Sequence, residues 1–379
     1  MAIAVSDLQD LITTTQKELG ELKWTEIATD LQEHTALSSL LQESRVQFSS
    51  GTSIQWNIMV ENSGLAKDTS LFATDEVNIG DVMKTAEIGW KHQTTNYAIE
   101  RREIAFNRDP RRIVDLVAVR RADAMISMAE HMEKRFWGCP STANDLKMNG
   151  VGYWISTEGD NPAAGVGGFL GGDKFTGGTA GLSSADYPRW QNYWGVYAAA
   201  DLTGATGDTN NNDYSKTSAD SGVFPVLGLV KQMRESYIKT GFKPIANANV
   251  PSYNTGDRHG IYCGYEALAG LEQIVERTND KVTSADLQPY AGRVMFRGVP
   301  ITYVPHLDSA SGKPIYMLNW GTFHPVFLEG EYMREMGPEV APNQHTTLVT
   351  HIDCTLNTYC TDRRRNAVLS TGDVSIPNN

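Results

Sequence analysis

Cysteine is scarce in this chain, and its spacing excludes a disulfide framework. The 379 residues contain four cysteines, namely Cys139, Cys263, Cys354 and Cys360, and no two of them form a C-x-x-C pair. A small disulfide-stabilised fold and a redox-active dithiol motif are therefore excluded. We expect four reduced, unreactive thiols in a reducing compartment.

An excess of positive charge is also absent. The chain has 33 Lys and Arg against 45 Asp and Glu, which gives a formal net charge of −12. A protein whose main task is to neutralise phosphates needs a basic footprint, so we expect any contact with nucleic acid to be local, weak and non-specific. The N-terminal MAIAVSDLQDLI lacks the basic and apolar regions of a signal peptide, and no later apolar run reaches membrane-spanning length. We expect neither an export signal nor a membrane contact.

Catalytic motifs are missing as well. The glycines after Ala164 do not follow the G-x-G-x-x-G spacing, and neither H-E-x-x-H nor G-x-S-x-G occurs. The oxygen-rich run 208–213 lacks the glycine and glutamate positions of a calcium loop. The spacing of a fourth set fits no standard zinc site, namely His345, His351, Cys354 and Cys360. The sequence therefore predicts no catalytic, cofactor-binding or metal-ligating residue, and a soluble α/β enzyme is the less favoured alternative.

What the chain does contain is a series of polar segments with regular apolar spacing. Its length suits about two or three domains, and its 40% hydrophobic content is enough for packed cores. Leucines and isoleucines recur at helical spacing up to Ser44, and Ser6 suits the N-cap of the first helix. This helical segment either packs on its own chain or docks on a neighbouring subunit.

The next segment has the period of a β-strand. Ile54, Trp56, Ile58 and Val60 alternate with mainly polar residues, and a return strand is predicted over 87–104. The apolar parity changes within the return strand, which predicts a bulge or kink near 93–96. The connection 62–80 is long and polar. Because a two-stranded ribbon is marginal alone, this hairpin must pack on its own domain or on a neighbour.

A long amphipathic helix is predicted over 109–137. Asp109 suits the N-cap and Pro110 the first helical position, while Gly138 and Pro140 end the pattern. Roughly 28 residues at about 1.5 Å each give a rod of about 42 Å. The apolar stripe is interrupted at Arg120 and Arg121. Taken alone, this pattern also fits an ordinary core helix of an enzyme.

The remainder of the sequence is a predicted loop region followed by alternating helix and strand patterns. Residues 150–222 are rich in Gly, Asn, Asp and Ser and are interpreted as loop with an aromatic segment at 187–197. Helices are then predicted over 223–240 and 257–277, and strands over 293–296, 299–305, 314–318, 326–328 and 346–359. The closing Asp362-Arg363-Arg364-Arg365 cluster is interpreted as solvated or ion-paired surface, with a DNA contact as the alternative.

The order of these parts resembles the major capsid proteins of tailed bacteriophages, which share the Hong Kong 97-like fold. The resemblance covers nearly the whole chain and lies in order and spacing. It is carried by the hairpin ending in REIAF, the helix DPRRIVDLVAVRRADAMISMAEHMEKRFWG, the segments MRESYIKTGFKPI and MFRGVPITYVPHLD, and the closing VTHIDCTLNTYCTDRRRNAVL.

The resemblance implies an α+β capsid fold with named parts. They are an N-arm (1–48), an E-loop (49–108), a P-domain (109–244) with a spine helix (109–137) and the Gly-rich insertion (150–222), an A-domain (245–340), and returning P-domain strands with the C-terminus (341–379).

The function implied is structural, namely self-assembly into an icosahedral head shell that encloses double-stranded DNA. The implied partners are the chain itself in hexamers and pentamers, a separate scaffolding protein, a portal and a decoration protein, and the implied location is the virion, with assembly in the host cytoplasm. An encapsulin-type compartment is the alternative. The candidate subunit-interface residues are Trp56, Lys67, Arg101, Arg102, Arg111 and Arg112, and no crosslink through Lys67 is expected.

Overall fold

The structure is a computed structural model that describes residues 35–41, 46–61, 68, 70, 82–106, 110–159, 162, 166–197, 229–241, 259–278, 287–290, 293–342 and 344–376. The helical pattern before residue 35, Asp109 and the run 208–213 lie outside the described residues. Within them the chain is a mixed α+β fold with several sheets.

The elements are numbered here in chain order. The helices are α1 (Thr35–Leu40), α2 (Arg101–Phe106), α3 (Pro110–Trp137), α4 (Val151–Trp154), α5 (Leu229–Lys239) and α6 (Tyr265–Thr278). The strands are β1 (Gln47–Ser49), β2 (Ser53–Met59), β3 (Met83–Gly89), β4 (Lys91–Glu100), β5 (Gly167–Gly171), β6 (Asn192–Val196), β7 (His259–Cys263), β8 (Leu287–Tyr290), β9 (Arg293–Phe296), β10 (Val299–Tyr303), β11 (Ile315–Asn319), β12 (Phe323–Leu328), β13 (Arg334–Val340), β14 (Thr347–Cys360) and β15 (Ala367–Ser370).

The long helix predicted from the apolar stripe is confirmed. Helix α3 is 28 residues long, begins at Pro110 and ends at Trp137, directly before Gly138. Its second half turns large apolar side chains inward, and Phe136 and Trp137 are fully buried. Among the described residues no helix is long and apolar enough to cross a membrane.

A five-stranded sheet packs on α3. The strand β14 is its centre, with β4 along one side and β12 and β13 in succession along the other. The strand β1 extends this sheet by pairing in parallel with β12. Strands β12 and β13 lie within the range that the resemblance assigns to the A-domain, yet both pair with the C-terminal strand β14.

An eight-stranded sheet forms the second layer, in the order β5-β6-β15-β11-β7-β10-β9-β8. The strands predicted over 293–296 and 299–305 are present as β9 and β10, and they pair as a hairpin with its turn at Arg297 and Gly298. The helices α5 and α6 pack on this sheet, and the core between them includes Leu229, Met233 and Leu271.

The end of α3 joins the two sheets. The ring of Phe136 lies 5.5 Å from that of Trp320 and 6.0 Å from that of Phe323, at the start of β12. The ring of Trp137 lies 5.2 Å from that of Tyr262 on β7 and 6.5 Å from that of Tyr316 on β11. Because these rings are buried in one cluster, α3 fixes the position of both sheets.

The predicted hairpin is present, but its return strand differs from the prediction. Strands β2 and β3 pair in antiparallel register, and the strand structure is then interrupted at Trp90 before β4 begins. The parity change therefore falls at Trp90, and not near 93–96, where a bulge or kink was predicted. The strand also ends at Glu100, and Arg101–Phe106 is the helix α2, so the predicted extension to residue 104 was wrong.

Two further predictions were wrong, namely the loop predicted over 150–222 and the helix predicted over 257–277. Part of 150–222 forms β5 and β6, and β6 pairs in parallel with β15 inside the large sheet. A side chain at Gly171 would collide with that of Asn192, so this position of β5 requires glycine. The helix predicted over 257–277 begins only at Tyr265, because residues 259–263 are the buried central strand β7.

The arginine cluster is ion-paired, as one part of its interpretation expected, but two of its three arginines are buried and do not form a solvated surface. The side chain of Arg363 is fully buried, and that of Arg365 is 9% exposed. The guanidinium of Arg363 donates to the carbonyl oxygens of Trp154, Gly172 and Trp190 over 2.7, 2.7 and 2.9 Å. Sequence spacing cannot distinguish this fully buried arginine from the half-buried Arg364, because the acceptors come from residues about 170 to 210 positions away.

Candidate subunit-interface surfaces

The inner face of the β2–β3 hairpin is packed within its own chain. The ring of Trp56 lies 4.7 Å from that of Tyr359 and 6.0 Å from that of Trp154. The indole nitrogen of Trp90 donates to the carbonyl oxygen of Gly51 over 2.9 Å at the hairpin base. The structure therefore places Trp56, a candidate interface residue, in an intramolecular contact.

The outer face of the same hairpin is uncovered. Met59 and Met83 pair directly across the two strands and are 65% and 59% exposed. Asn57 accepts a 2.9 Å hydrogen bond from the hydroxyl of Thr85 on this face. Two exposed methionines beside a polar pair form a surface that can pack on another protein. Lys67, beyond these residues, lies outside the described part.

One end of the five-stranded sheet carries exposed charged residues. This end, called the sheet tip, comprises the last residues of β4 and β13, the first of β14 and the start of α2. Arg101 and Arg102 are exposed, and the backbone N–H of Arg101 donates to the carbonyl oxygen of Thr346 over 2.8 Å. The guanidinium of Arg102 lies 3.7 Å from the carboxylate of Glu100. Arg111 and Arg112 lie in the first turns of α3, and their side chains are outside the description.

The two arginines that interrupt the apolar stripe of α3 form hydrogen bonds to residues of α2 and of the five-stranded sheet. Arg120 donates to both carboxylate oxygens of Glu103, over 2.8 and 3.1 Å, and to the carbonyl oxygen of Ala98 over 2.8 Å. Arg121 donates to Glu335 on β13 over 2.8 Å, and this hydrogen bond raises the pKa of the Arg121 guanidinium. These pairs fix the orientation of the sheet tip relative to α3.

A buried carboxylate holds the last part of the N-terminal segment. Glu133 on α3 is 2% exposed and accepts the backbone N–H groups of Ala36 and Leu37 over 2.9 and 2.8 Å. It also accepts the indole N–H of Trp137 over 2.8 Å. The carboxylate thus caps the start of α1 and attaches it to α3. The sequence did not single out Glu133 for this role, because two further charged residues, Lys134 and Arg135, follow it directly.

The outer edge of the sheet is formed by β13. All seven residues of this strand are exposed, including Met336 and Val340 at 41% and 51%. Gly337 has a φ of 121° and precedes Pro338 in a bulge of the strand. Glu339 is exposed and has no charged partner among the described residues. The strand was not predicted, because its apolar residues do not alternate regularly.

The four thiols are unpaired, and burial makes them poor nucleophiles. Burial raises the pKa of Cys139 and Cys354 to about 11 and that of Cys263 and Cys360 to about 12. A reactive cysteine requires the opposite shift. Within the described ranges no three His, Cys, Asp or Glu side chains are grouped to hold a metal ion.

Comparison with known proteins identifies the fold. No family model matches the sequence, and no curated protein matches it. Among solved structures, the chain is similar to a protein of the cyanophage A-1(L) capsid asymmetric unit, with a TM-score of 0.56 and 16% identity over 92% of this chain and 95% of that chain. It also matches a chain of the empty GTA particle capsid, with a TM-score of 0.49 and 12% identity over 97% and 99% of the two chains. A chain of an encapsulin complex from Synechococcus elongatus matches with a TM-score of 0.44 and 12% identity over 98% and 97%.

The class of fold follows from the first of these similarities together with the architecture. The chain has the mixed α+β fold of the major capsid proteins of tailed phages. The resemblance seen in the order of sequence segments is confirmed at the level of the fold.

Proposed function

We propose that this chain is a major capsid protein, the subunit that assembles into the icosahedral head shell of a tailed phage around double-stranded DNA. The observation that carries the proposal is the similarity of nearly the whole chain to the cyanophage capsid protein. The similarity covers nearly the full length of both chains and is not limited to a common substructure.

The parts of the subunit are assigned on this basis. The hairpin of β2 and β3 belongs to the E-loop (49–108), α3 is the spine helix of the P-domain (109–244), and the N-arm (1–48) is attached where α1 meets Glu133. The A-domain (245–340) and the returning strands (341–379) complete the subunit. The uncovered outer face of the hairpin supports the E-loop assignment, since a long ribbon with exposed methionines gains stability by packing on a neighbour.

The mechanism is assembly without a chemical step, and no cofactor takes part. Contacts between non-identical surfaces repeat head to tail and close into hexamers and pentamers, which then tile the shell. Each contact can be weak, because many act together. Arg101, Arg102, Arg111 and Arg112 form salt bridges to carboxylates of a neighbour, which fix orientation more than they add affinity.

The remaining partners follow from the role of a head shell. They are a separate scaffolding protein, a portal and a decoration protein, with DNA held by weak, non-specific contacts. The formal charge of −12 supports weak DNA contact, since the chain as a whole is not basic. Subunits are not crosslinked, so dissolved particles give the monomer band alone on a denaturing gel.

Electron microscopy of the purified protein tests the proposal, with the chain expressed alone and then together with its neighbouring genes. We expect closed shells in the second preparation, and rings, tubes or irregular shells in the first. Particles that contain nuclease-protected DNA support a phage head, whereas shells that contain a co-purified enzyme support an encapsulin-type compartment. A dispersed monomer or dimer in both preparations refutes a shell protein of either kind.

A further inference from the structure

The sheet tip carries opposite charges on its two sides. The basic side is formed by Arg101 and Arg102, which follow the last residue of β4, and the acidic side by Glu339 on β13. The central strand β14 separates the two sides, because Ala98 and Glu339 both pair with Val349. Since neighbouring strands lie about 4.8 Å apart, the two sides are separated by about 10 Å.

Each side carries one charge that no described residue neutralises, although Arg102 already lies 3.7 Å from the carboxylate of Glu100. Arg101 and Glu339 have no charged partner among the described residues, in contrast to Arg121, which is already paired with Glu335 on the same edge. The acidic side also exposes Met336 and Val340. An exposed apolar edge bordered by an unpaired carboxylate is a surface suited to contact with a protein that carries a positive charge.

The edge is not built to add another strand. Pro338 lacks an N–H group, and the bulge between Met336 and Glu339 interrupts the regular ladder. These features block backbone pairing along β13. A partner on this edge therefore binds through side chains, and the charge of Glu339 selects a basic one.

We propose that the acidic side of one sheet tip binds the basic side of the sheet tip of a second copy, with Glu339 facing Arg101 and Arg102 and with Met336 and Val340 packed against the same neighbour. The inference rests on the proposed function, because it names the partner surface for two of its interface arginines. Two different surfaces on each copy make a head-to-tail contact that repeats around a ring.

Charge reversal with rescue is the first test. It uses the full-length chain under conditions in which the unaltered protein forms particles. We expect about a tenfold loss or more of sedimenting particles for the double variant Arg101→Glu/Arg102→Glu and for Glu339→Arg, because like charges then face each other. The triple variant restores opposite charges and recovers particle yield. Arg189→Glu, an exposed reversal far from the tip in sequence, is the matched control and assembles normally.

A disulfide test gives a second, independent measurement. Arg102→Cys and Glu339→Cys in one chain lie on opposite sides of β14, too far apart for a bridge within the subunit, which needs Cα atoms within about 7 Å. Mild oxidation of assembled particles should therefore give dimers and higher multiples on a non-reducing gel. The control pair Arg189→Cys and Glu339→Cys should remain monomeric.

The outcomes separate this contact from the proposed function. If the unaltered protein forms shells but the reversed variants assemble normally, or if the triple variant recovers nothing and no multiples form on oxidation, the tip contact is wrong and the shell function stands. If the unaltered protein forms no shell even with its neighbouring genes, the proposed function fails and the contact fails with it.

Discussion

Replacing Arg363 should destabilise the subunit more than any neighbouring arginine. Besides three carbonyl oxygens, its guanidinium reaches the carboxylate of Asp173 and the amide oxygen of Asn192, each over 3.3 Å. Burial lowers the pKa of this guanidinium, and the charge of Asp173 opposes that shift. Arg363→Met removes every donor but leaves the acceptors buried. Breaking a buried pair in this way costs about 3–5 kcal/mol.

The magnitude can be measured on the unassembled subunit. A loss of about 4 kcal/mol corresponds to about 5 °C in Tm for a chain of this size. Unfolding in urea, followed by tryptophan fluorescence, is a suitable assay, because Trp154 and Trp190 contact Arg363 directly. Arg363→Lys should recover little stability, since one ammonium cannot reach acceptors on opposite sides of a planar fork.

Arg364 supplies the matched control. Its guanidinium lies 3.8 Å from the ring centre of Phe169 and is only partly buried. Arg364→Met should cost about 0.5–1 kcal/mol, the usual contribution of an accessible cation–π contact. Equal stability of Arg363→Met and Arg364→Met would show that the buried network does not hold this part of the fold together, and the reasoning would be refuted.

Three other perturbations have defined outcomes. Glu133→Ala should release α1 from α3, so that amide hydrogen exchange at residues 36–37 becomes faster and the free energy of unfolding falls by about 2–3 kcal/mol. Unchanged protection of these amides would exclude Glu133 as the anchor. Cys263 and Cys360 should resist alkylation at pH 8 until the subunit unfolds, since burial raises the pKa of both thiols to about 12, and rapid labelling of the folded protein would contradict this. Reversing Arg111 and Arg112 together should impair assembly but leave the melting temperature of the subunit unchanged, and normal shells would remove these residues from the interface.

Local periodicity predicted the elements whose stability depends mainly on one amphipathic face. The helix α3 was predicted to within one residue because its apolar spacing, Pro110 and Gly138 agree. The inward alternation of Ile54, Trp56 and Ile58 likewise predicted β2. The order of the segments was sufficient to indicate the capsid fold.

The contacts that give individual polar residues their roles were not predictable in the same way. The glycines of β5 have low strand propensity, and they pair only because β6 is held by β15 some 170 residues later in the chain. For the interface, the sequence supplied the basic residues Arg101 and Arg102. It did not indicate Glu339, because no strand was predicted there.

The sequence by itself determined the class of fold, through helix and strand periods that depend on neighbouring residues. Only the tertiary structure decided which charges are buried and which are free. Arg363 and Arg364 are adjacent in sequence, yet one is enclosed by acceptors from distant parts of the chain and the other is not. Likewise, Arg101 and Glu339 lie on opposite sides of one sheet tip only because β14 pairs with both β4 and β13, and pairing between remote strands depends on the whole folded core.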